Sequence, residues 1–355
     1  MIHSHSTSRI FFGLLTFATI AAFAAGADSD PRVAFLKLID RPRVPLASEV
    51  ASPVESDSGR VTEAAFSFAA DAHQRVPGLL VKARSTSPAI AKRRPVVIAL
   101  HGTGGTKESQ RPLLTELAGL GFIAVAIDGR YHGARTKAGK GSAEYSDAIL
   151  RAYRTGPNGE HPFFFDTAWD VMRLIDFLES RDDIDPSRIG VIGFSKGGIE
   201  TYLAAAADPR IAVAVPCIGV QSFGWAIEHN GWQSRISTIQ SAFDAAAKDS
   251  AVAQPGPAFV RAFYDRVAPG IDREFDGPAM LPLIAPRPLL SINGETDDRT
   301  PLPGLEICAT GARAAYKALG AEEKFVLHIQ RNTGHKVTPA SMQMAKDWFV
   351  RWLKP

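Results

Sequence analysis

The sequence contains little cysteine and almost no imbalance of charge. Its two cysteines, Cys217 and Cys308, are too few for a disulfide-stapled scaffold or for a zinc site made of cysteine alone. The 40 Lys and Arg residues nearly balance the 37 Asp and Glu residues, so that the formal net charge is only +3. A nucleic-acid partner therefore has no support in the composition.

The N-terminal segment carries an apolar run that is short for a membrane span. Residues 10–25 contain no charge, but 16 residues fall below the roughly 20 that a spanning helix needs. A basic start and small residues at the end are typical of a signal peptide, for which we predict cleavage after Ala27 or, alternatively, after Ala24. An uncleaved anchor is the alternative, but no stop-transfer flank follows. We expect a secreted or periplasmic protein without a stable membrane anchor.

The remaining chain alternates between strand-like and helix-like patterns. Six runs are apolar on both faces, as parallel strands covered by helices require: 95–100, 122–127, 188–193, 211–215, 288–292 and 324–329. Two more strand-like runs, 61–68 and 76–83, precede them. Helical periodicity follows at 108–120, 167–180, 304–319 and 339–353. This alternation predicts an α/β fold with a doubly wound, mostly parallel sheet.

The same patterns predict the domain organisation. Residues 1–27 are the signal peptide, 28–60 an N-terminal extension on the surface, and 61–355 one α/β domain. The alternation of strand and helix patterns stops at about 220–283, where no strand pattern is found and aromatic residues are frequent. We interpret this stretch as a helical cap inserted between two strands. Its Phe223, Trp225 and Trp232 are more typical of the cap's own core than of a platform for substrate.

A candidate nucleophile lies between a strand and a helix. The segment Gly193-Phe-Ser195-Lys-Gly197 matches the G-x-S-x-G pattern directly after an apolar strand and directly before a small-residue helix. Such a sharp turn strains the backbone and exposes the serine hydroxyl, while the glycines leave room for neighbouring chain. This context predicts that Ser195 is a catalytic nucleophile rather than part of an ordinary glycine-rich turn.

A serine nucleophile needs a base and a group that orients the base. His335 is the candidate base, since it follows the last strand and precedes the C-terminal helix. Acids that follow the penultimate strand complete the chain order serine, acid, histidine. Asp297 is the preferred acid among them, because the proline four residues later, Pro301, matches the usual spacing. Asp298 is the second candidate for the acid, and Glu295 is the third.

An oxyanion that forms during attack on an ester also needs backbone donors. The glycine-rich segment 101–105 follows a strand, and we expect the Thr103 N–H to act beside that of Lys196. A phosphate-binding P-loop is not indicated, because its terminal Gly-Lys-Ser/Thr is missing. A G-x-G-x-x-G motif after the first strand is also missing, which argues against a dinucleotide cofactor.

Five segments together resemble the α/β-hydrolase superfamily: HGTGG (101–105), IDGRYHG (127–133), DPSRIGVIGFSKGG (185–198), NGETDDRTP (293–301) and NTGH (332–335). They are most similar to its dienelactone hydrolase, acetyl xylan esterase and prolyl-oligopeptidase-like branch, over residues 61–353. The resemblance implies hydrolysis through an acyl-enzyme on Ser195, with neither a metal nor an organic cofactor. Dienelactone hydrolases proper have a cysteine nucleophile at this position, so the resemblance does not imply a lactonase.

These observations predict a secreted serine carboxylic ester hydrolase that acts on carbohydrate esters or other small acyl esters. A serine peptidase of the oligopeptidase or aminopeptidase type is an alternative, although about 60 residues before the first apolar strand cannot form a propeller. A non-catalytic binding protein with this fold is another alternative, although every triad position is filled. The expected partner is a small-molecule or glycan ester, with no nucleic acid.

Overall fold

The structure is a computed structural model that describes Met1 and residues 30–84, 93–137 and 142–355; all but the first residue of the predicted signal peptide lies outside the described residues. The strands are β1 Glu49–Val50, β2 Val54–Ser56, β3 Val61–Ala69, β4 Arg75–Ala83, β5 Arg94–Leu100, β6 Ile123–Ile127, β7 Ile184–Phe194, β8 Ile211–Cys217, β9 Leu289–Gly294 and β10 Phe325–Gln330. The α-helices are α1 Pro31–Ile39, α2 Arg111–Gly119, α3 Ser142–Thr155, α4 Phe165–Glu179, α5 Lys196–Ala207, α6 Phe223–Glu228, α7 Gln233–Ile236, α8 Gln240–Asp249, α9 Pro257–Val267, α10 Gly277–Met280, α11 Leu302–Ala318 and α12 Pro339–Leu353.

All ten strands belong to one mixed sheet, with the order β1-β3-β4-β6-β5-β7-β8-β9-β10 and with β2 paired to β3. The strands from β6 to β10 along this order are parallel, whereas β1 to β4 pair in antiparallel fashion. The predicted sheet, doubly wound and mostly parallel, is thereby confirmed. Parallel pairing brings the carboxyl ends of β5, β7, β8, β9 and β10 to one edge, where ligands bind in such folds.

Burial on both faces explains why these strands are apolar throughout. Along β5, Val96, Ile98 and Leu100 belong to one core, and Val97 and Ala99 to the other. The first core packs against α4, α5 and α11, and the second packs against α2 and α12. The period-two alternation of a strand distributes its side chains between the two layers of helices.

The N-terminal segment is more structured than the sequence predicted. Residues 31–39 form α1, and Phe35 is completely buried against Phe165 at a ring-centre distance of 5.0 Å. Arg32 donates from Nε to the carbonyl of Ala206 at 2.7 Å, in the last turn of α5. A cation at the carboxyl end of a helix offsets the helix dipole. The segment expected as a surface extension therefore contributes to the core.

Residues 220–283, between β8 and β9, carry the five helices α6 to α10, and no strand is formed there. Phe223 and Trp232 are buried, as expected for the core of this segment. Trp225 is half-buried and stacks on the exposed ring of His229 at 4.4 Å. We refer to residues 220–283 as the helical insertion.

A buried ion-pair network holds the loop that follows β6. Arg130 donates two hydrogen bonds to Asp170, at 2.8 and 3.0 Å, and Arg135 donates a third at 2.6 Å. The side chains of Arg130 and Asp170 are at most 1% exposed. Despite the cost of burial, the two guanidinium groups hold the pKa of Asp170 below its ordinary value.

No helix in the described part of the chain has both the length and the apolar character needed to cross a membrane.

Candidate active site

The predicted nucleophile lies in a strained turn between β7 and α5. Ser195 has φ 54° and ψ −110°, a conformation that is rare for residues other than glycine. Its N–H donates to the carbonyl of Cys217 at the end of β8, at 2.9 Å, and its carbonyl accepts from Ile199 N–H at 3.1 Å. The turn is therefore held from the neighbouring strand and from the helix that follows.

Close backbone contacts explain the glycines of the motif. A Cβ atom on Gly193 would lie 2.1 Å from the carbonyl oxygen of Gly197, and one on Gly197 would lie 2.4 Å from that of Leu100. Both distances are far below van der Waals contact. The turn can form at this position only because neither residue has a side chain.

A continuous hydrogen-bond chain joins the three residues predicted as a triad. Ser195 Oγ lies 2.7 Å from His335 Nε2, and His335 Nδ1 lies 2.7 Å from Asp297 Oδ2. The neutral imidazole that carries its proton on Nδ1 satisfies both contacts, since Nδ1–H donates to the carboxylate and Nε2 accepts from the serine hydroxyl. This arrangement can transfer the hydroxyl proton to His335.

The two loops that carry Asp297 and His335 are joined to each other. Thr296 N–H donates to the Thr333 carbonyl at 3.0 Å, and Glu295 N–H donates to the Gln330 carbonyl at 3.0 Å. Because β9 and β10 are parallel neighbours, their carboxyl ends deliver both loops to the same edge of the sheet.

The structure brings Asp297, and neither of the other two predicted acids, to the histidine. The side chain of Asp297 is buried, whereas Asp298 and Glu295 are exposed. Glu295 instead accepts a hydrogen bond from Asn332 N–H at 2.7 Å. Of the three candidates, Asp297 is therefore the one in a position to orient His335.

Several donors fix the Asp297 carboxylate. Oδ1 accepts from Arg299 N–H at 3.0 Å, and Oδ2 accepts from Thr300 Oγ at 2.9 Å in addition to His335. Burial opposes ionisation, but these hydrogen bonds outweigh it and hold the pKa of Asp297 below its ordinary value. Arg299 and Thr300 were not singled out in the sequence, although both belong to the segment that follows Asp297.

The predicted oxyanion donors, Thr103 and Lys196, belong to two different segments near Ser195. A Cβ atom on Gly102 would lie 3.3 Å from the Phe194 carbonyl and 3.6 Å from Ser195 Cβ, so that the segment carrying Thr103 passes close to the nucleophile. Lys196 is the first residue of α5, where backbone N–H groups lack partners within the helix. Both predicted donors therefore belong to segments that adjoin Ser195.

The side chain of Lys196 points into the protein. Its ammonium group forms a buried ion pair with Glu200, one turn later in α5, and both side chains are 1% exposed. The ammonium nitrogen lies 5.6 Å from the ring centre of Tyr145, and a Cβ atom on Gly129 would come within 2.8 Å of it. Glu200 was not singled out in the sequence, although its spacing of four residues from Lys196 is typical of a helical ion pair.

His101 stabilises the glycine-rich loop through both of its ring nitrogens. Its Nε2 accepts from Gly129 N–H at 3.0 Å, and its Nδ1 donates to the Gly102 carbonyl at 2.8 Å. Burial and the charge of Lys196 lower the pKa of His101 to about 4. The imidazole is therefore neutral at pH 7, which its acceptor role requires.

Metal ligands do not cluster in the described ranges. No group of three or more His, Cys, Asp or Glu side chains is arranged there to hold a metal ion. Cys217 and Cys308 are both buried free thiols.

The chain is similar to known esterases in sequence and in fold. A family model described as "Glucuronyl esterase, fungi" matches residues 86–320, about two thirds of the chain. The YtaP protein of Bacillus subtilis is 26% identical over 294 residues, which cover 79% of this chain and 85% of that protein. The 4-O-methyl-glucuronoyl methylesterase of Schizophyllum commune is 27% identical over 194 residues, 52% of this chain. That match spans 46% of the fungal enzyme, so the chain covers about half the length of this relative.

Solved structures give the same result for the fold. An acetyl xylan esterase from Paenibacillus sp. R4 superposes with a TM-score of 0.63 at 19% identity, covering 91% of this chain and 92% of that one. The predicted resemblance to the α/β-hydrolases is thereby confirmed. The chain belongs to the glucuronyl esterase family that the matching model describes, and it is a carboxylic ester hydrolase.

Proposed function

We propose that Ser195 is the nucleophile, His335 the general base and acid, and Asp297 the residue that orients His335. The observation that carries this proposal is the chain of two 2.7 Å contacts from Ser195 Oγ through the imidazole to the carboxylate. The role of each ring nitrogen then follows: Nδ1–H donates to Asp297, and the unprotonated Nε2 faces the serine hydroxyl and can accept its proton.

In the first half-reaction, Ser195 Oγ attacks the ester carbonyl and His335 Nε2 takes the hydroxyl proton. The carbonyl oxygen becomes an oxyanion, and we assign its stabilisation to the N–H groups of Thr103 and Lys196. Removing one such donor costs about 3 kcal/mol of transition-state stabilisation in comparable sites. The tetrahedral intermediate collapses when the bond to the leaving alcohol breaks and the alcohol takes the proton from His335.

In the second half-reaction, water attacks the acyl-enzyme. His335 takes a proton from the water, and the new tetrahedral intermediate collapses with return of that proton to Ser195 Oγ. The products are the carboxylic acid and free Ser195. Each step uses the same imidazole in alternating base and acid roles, so no further proton carrier is required.

We propose an ester of a sugar acid as the substrate, with the uronoyl group on the acyl side. The match to the glucuronyl esterase family model and the name of the Schizophyllum commune relative support this choice over acetylated sugar. In such an ester the sugar ring becomes attached to Ser195, whereas in a sugar acetate only the acetyl group does. The two classes therefore place the ring on opposite sides of the reacting carbon.

We propose that the helical insertion is the cap that borders the acyl side of the site. Its Trp225 packs against the first turn of α11, where a Cβ atom on Gly304 would lie 3.2 Å from the indole ring. Gly304 follows the loop of Asp297, so the half-buried Trp225 and its stacking partner His229 lie beside that loop. Aromatic faces of this kind can pack against the apolar face of a sugar ring.

A substrate panel tests this proposal. We expect methyl glucuronate to be hydrolysed with a higher kcat/KM than acetylated xylose, methyl acetate or an aminoacyl nitroanilide, with Ser195→Ala defining the background for each. Preference for acetylated xylose would reassign the enzyme to sugar acetates. Preference for the anilide would favour a serine peptidase.

We further propose that the chain is exported, with cleavage after Ala27. The charge-free run at residues 10–25 and the small residues that follow it support this proposal. N-terminal sequencing of the mature protein tests it, and we expect Asp28 as the first residue. Recovery of a chain that still begins at Met1 from the membrane fraction would contradict it.

A further inference from the structure

Arg235, in α7 of the helical insertion, is a buried cation without a carboxylate partner. The residue is 3% exposed, and none of the ion pairs in the described ranges involves it. Its Nη2 donates only to neutral acceptors, the carbonyl of Arg299 at 3.2 Å and Gln221 Oε1 at 3.4 Å, and its Nε has no partner in the structure. A buried charge without a counter-ion is destabilising, so stability alone does not explain this residue.

The contacts of Arg235 lead directly to the predicted acid. The Arg299 carbonyl that accepts from Arg235 belongs to the same residue whose N–H donates to Asp297 Oδ1 at 3.0 Å. The two groups also have opposite charges, and the charge of Asp297 favours the charged form of Arg235. The guanidinium is therefore coupled to the carboxylate by a hydrogen-bonded link and by its field.

We propose that Arg235 is a positioning residue: it holds the loop of Asp297 from the helical insertion, and its charge favours the unprotonated, active form of the Asp297–His335 pair. The inference rests on the proposed function of Ser195, His335 and Asp297. It adds a role for the insertion that is separate from contact with substrate.

The groups around Arg235 leave its charge largely uncompensated. Three neutral phenols face it from three helices, those of Tyr145 in α3, Tyr202 in α5 and Tyr264 in α9. Asp297 and Arg299 face it from the loop that carries Asp297, which we call the acid loop. Burial lowers the pKa of Arg235 to about 10, so that the guanidinium is charged at neutral pH. Asp297, whose charge favours the charged form of Arg235, is already engaged by His335.

A nearby positive charge opposes the addition of a proton to the Asp297–His335 pair. This holds for the pair as a unit, whichever of its atoms binds the proton. Protonation of the pair defines the acid limb of kcat/KM, since the imidazole must accept a proton from Ser195. Arg235 therefore extends activity toward lower pH.

The test is the pH dependence of kcat/KM for nitrophenyl acetate in the full chain. In Arg235→Gln we expect the acid limb to move to higher pH by about half a pH unit to one pH unit. This is the size expected for the loss of one screened charge at an effective dielectric constant of about 20. Arg235→Lys keeps the charge, so its limb stays at the wild-type position even if kcat falls. An unchanged limb in a folded Arg235→Gln variant overturns the proposal.

Arg261→Gln is the matched control within the helical insertion. Arg261 contacts Asp272 at 2.7 Å and Glu228 at 3.1 Å, away from the acid loop. We expect its acid limb to coincide with that of wild type. A shift as large as that of Arg235→Gln would show a general response to lost charge and would overturn the specific role.

Three further measurements distinguish the possible causes of a negative result. If Arg235→Gln fails to fold, Gln221→Glu places a carboxylate beside the guanidinium, and we expect the same upward shift. If Arg235→Gln instead raises KM for esters with an anionic acyl group and leaves the limb unchanged, then Arg235 binds substrate and the proposal fails. Asp297→Asn distinguishes failure of the proposed triad from failure of this inference. Wild-type activity in Asp297→Asn refutes the triad itself. If Asp297→Asn is inactive and the acid limb of Arg235→Gln is unmoved, only this inference is refuted.

Discussion

The carboxylate of Asp297 has no position that an amide nitrogen can take without losing or reversing a hydrogen bond. Oδ1 accepts from the backbone N–H of Arg299, and Oδ2 accepts from Thr300 Oγ and from His335. In Asp297→Asn one of these atoms becomes NH2. If the NH2 takes the Oδ1 position, it faces the fixed N–H of Arg299, and two buried donors then point at each other without an acceptor. This costs about 1–3 kcal/mol of stability.

The alternative orientation is therefore favoured, and it changes the imidazole. With NH2 at the former Oδ2 position, the Thr300 hydroxyl can rotate to accept, and His335 Nδ1 must become an acceptor. The proton of His335 then lies on Nε2, which can no longer take the proton of Ser195. We expect kcat/KM to fall by a factor of about 10³–10⁴, the scale of a wrong tautomer in comparable triads, with little loss of stability.

The assay is hydrolysis of nitrophenyl acetate at pH 7, with thermal unfolding of the same samples. Asp298→Asn is the matched control, because Asp298 adjoins Asp297 but is exposed, and we expect activity near that of wild type. A folded Asp297→Asn enzyme that keeps more than a tenth of wild-type kcat/KM would refute the tautomer argument.

Four further outcomes follow from the packing and the buried charges. Gly197→Ala places Cβ 2.4 Å from the Leu100 carbonyl, so we expect loss of nitrophenyl acetate hydrolysis and a lower Tm; wild-type activity would contradict it. Asp170→Asn removes the closest counter-ion of the buried Arg130 and leaves it only Asp71 at 3.1 Å and Glu160 at 3.6 Å, so we expect denaturant unfolding to show a loss of about 3 kcal/mol. Lys196→Met leaves Glu200 unpaired and lowers Tm, whereas the double variant Lys196→Met/Glu200→Leu recovers most of the loss. Folding lowers the pKa of His101 to about 4, whereas the imidazole of the unfolded chain keeps its ordinary value of about 6.5. The unfolded chain therefore binds one proton more between these pH values, and we expect His101 to contribute a fall of about 3 kcal/mol in the free energy of unfolding from pH 6.5 to pH 4, a dependence that weakens in His101→Gln.

The contact between Ser195 and His335 could be predicted because sequence order and strand ends determine it. A serine at the end of β7 and a histidine after β10 meet at one edge once the strands are parallel. The preference for Asp297 over Asp298 and Glu295 had no basis in strand order, since all three follow β9 within four residues. It depends on the turn in which Asp297 Oδ1 accepts from Arg299 N–H, and that turn buries one acid while exposing the other two.

Other features depend on tertiary contacts that the sequence does not display. Helix α1 has only nine residues and is stabilised by the burial of Phe35 and by the contact of Arg32 with α5, neither of which local propensity reveals. Arg235 lies in a four-residue helix and resembles any other surface arginine in the sequence. Its burial follows from how the helical insertion packs on the acid loop, a long-range contact that periodicity cannot indicate.

The most direct test of the central role of Ser195 is the mass of the protein after reaction with a fluorophosphonate probe. We expect one adduct on wild type, located by peptide mapping on Ser195, and none on a folded Ser195→Ala variant that also fails to hydrolyse methyl glucuronate. An adduct on another residue, or hydrolysis of methyl glucuronate by Ser195→Ala at the wild-type rate, would contradict it.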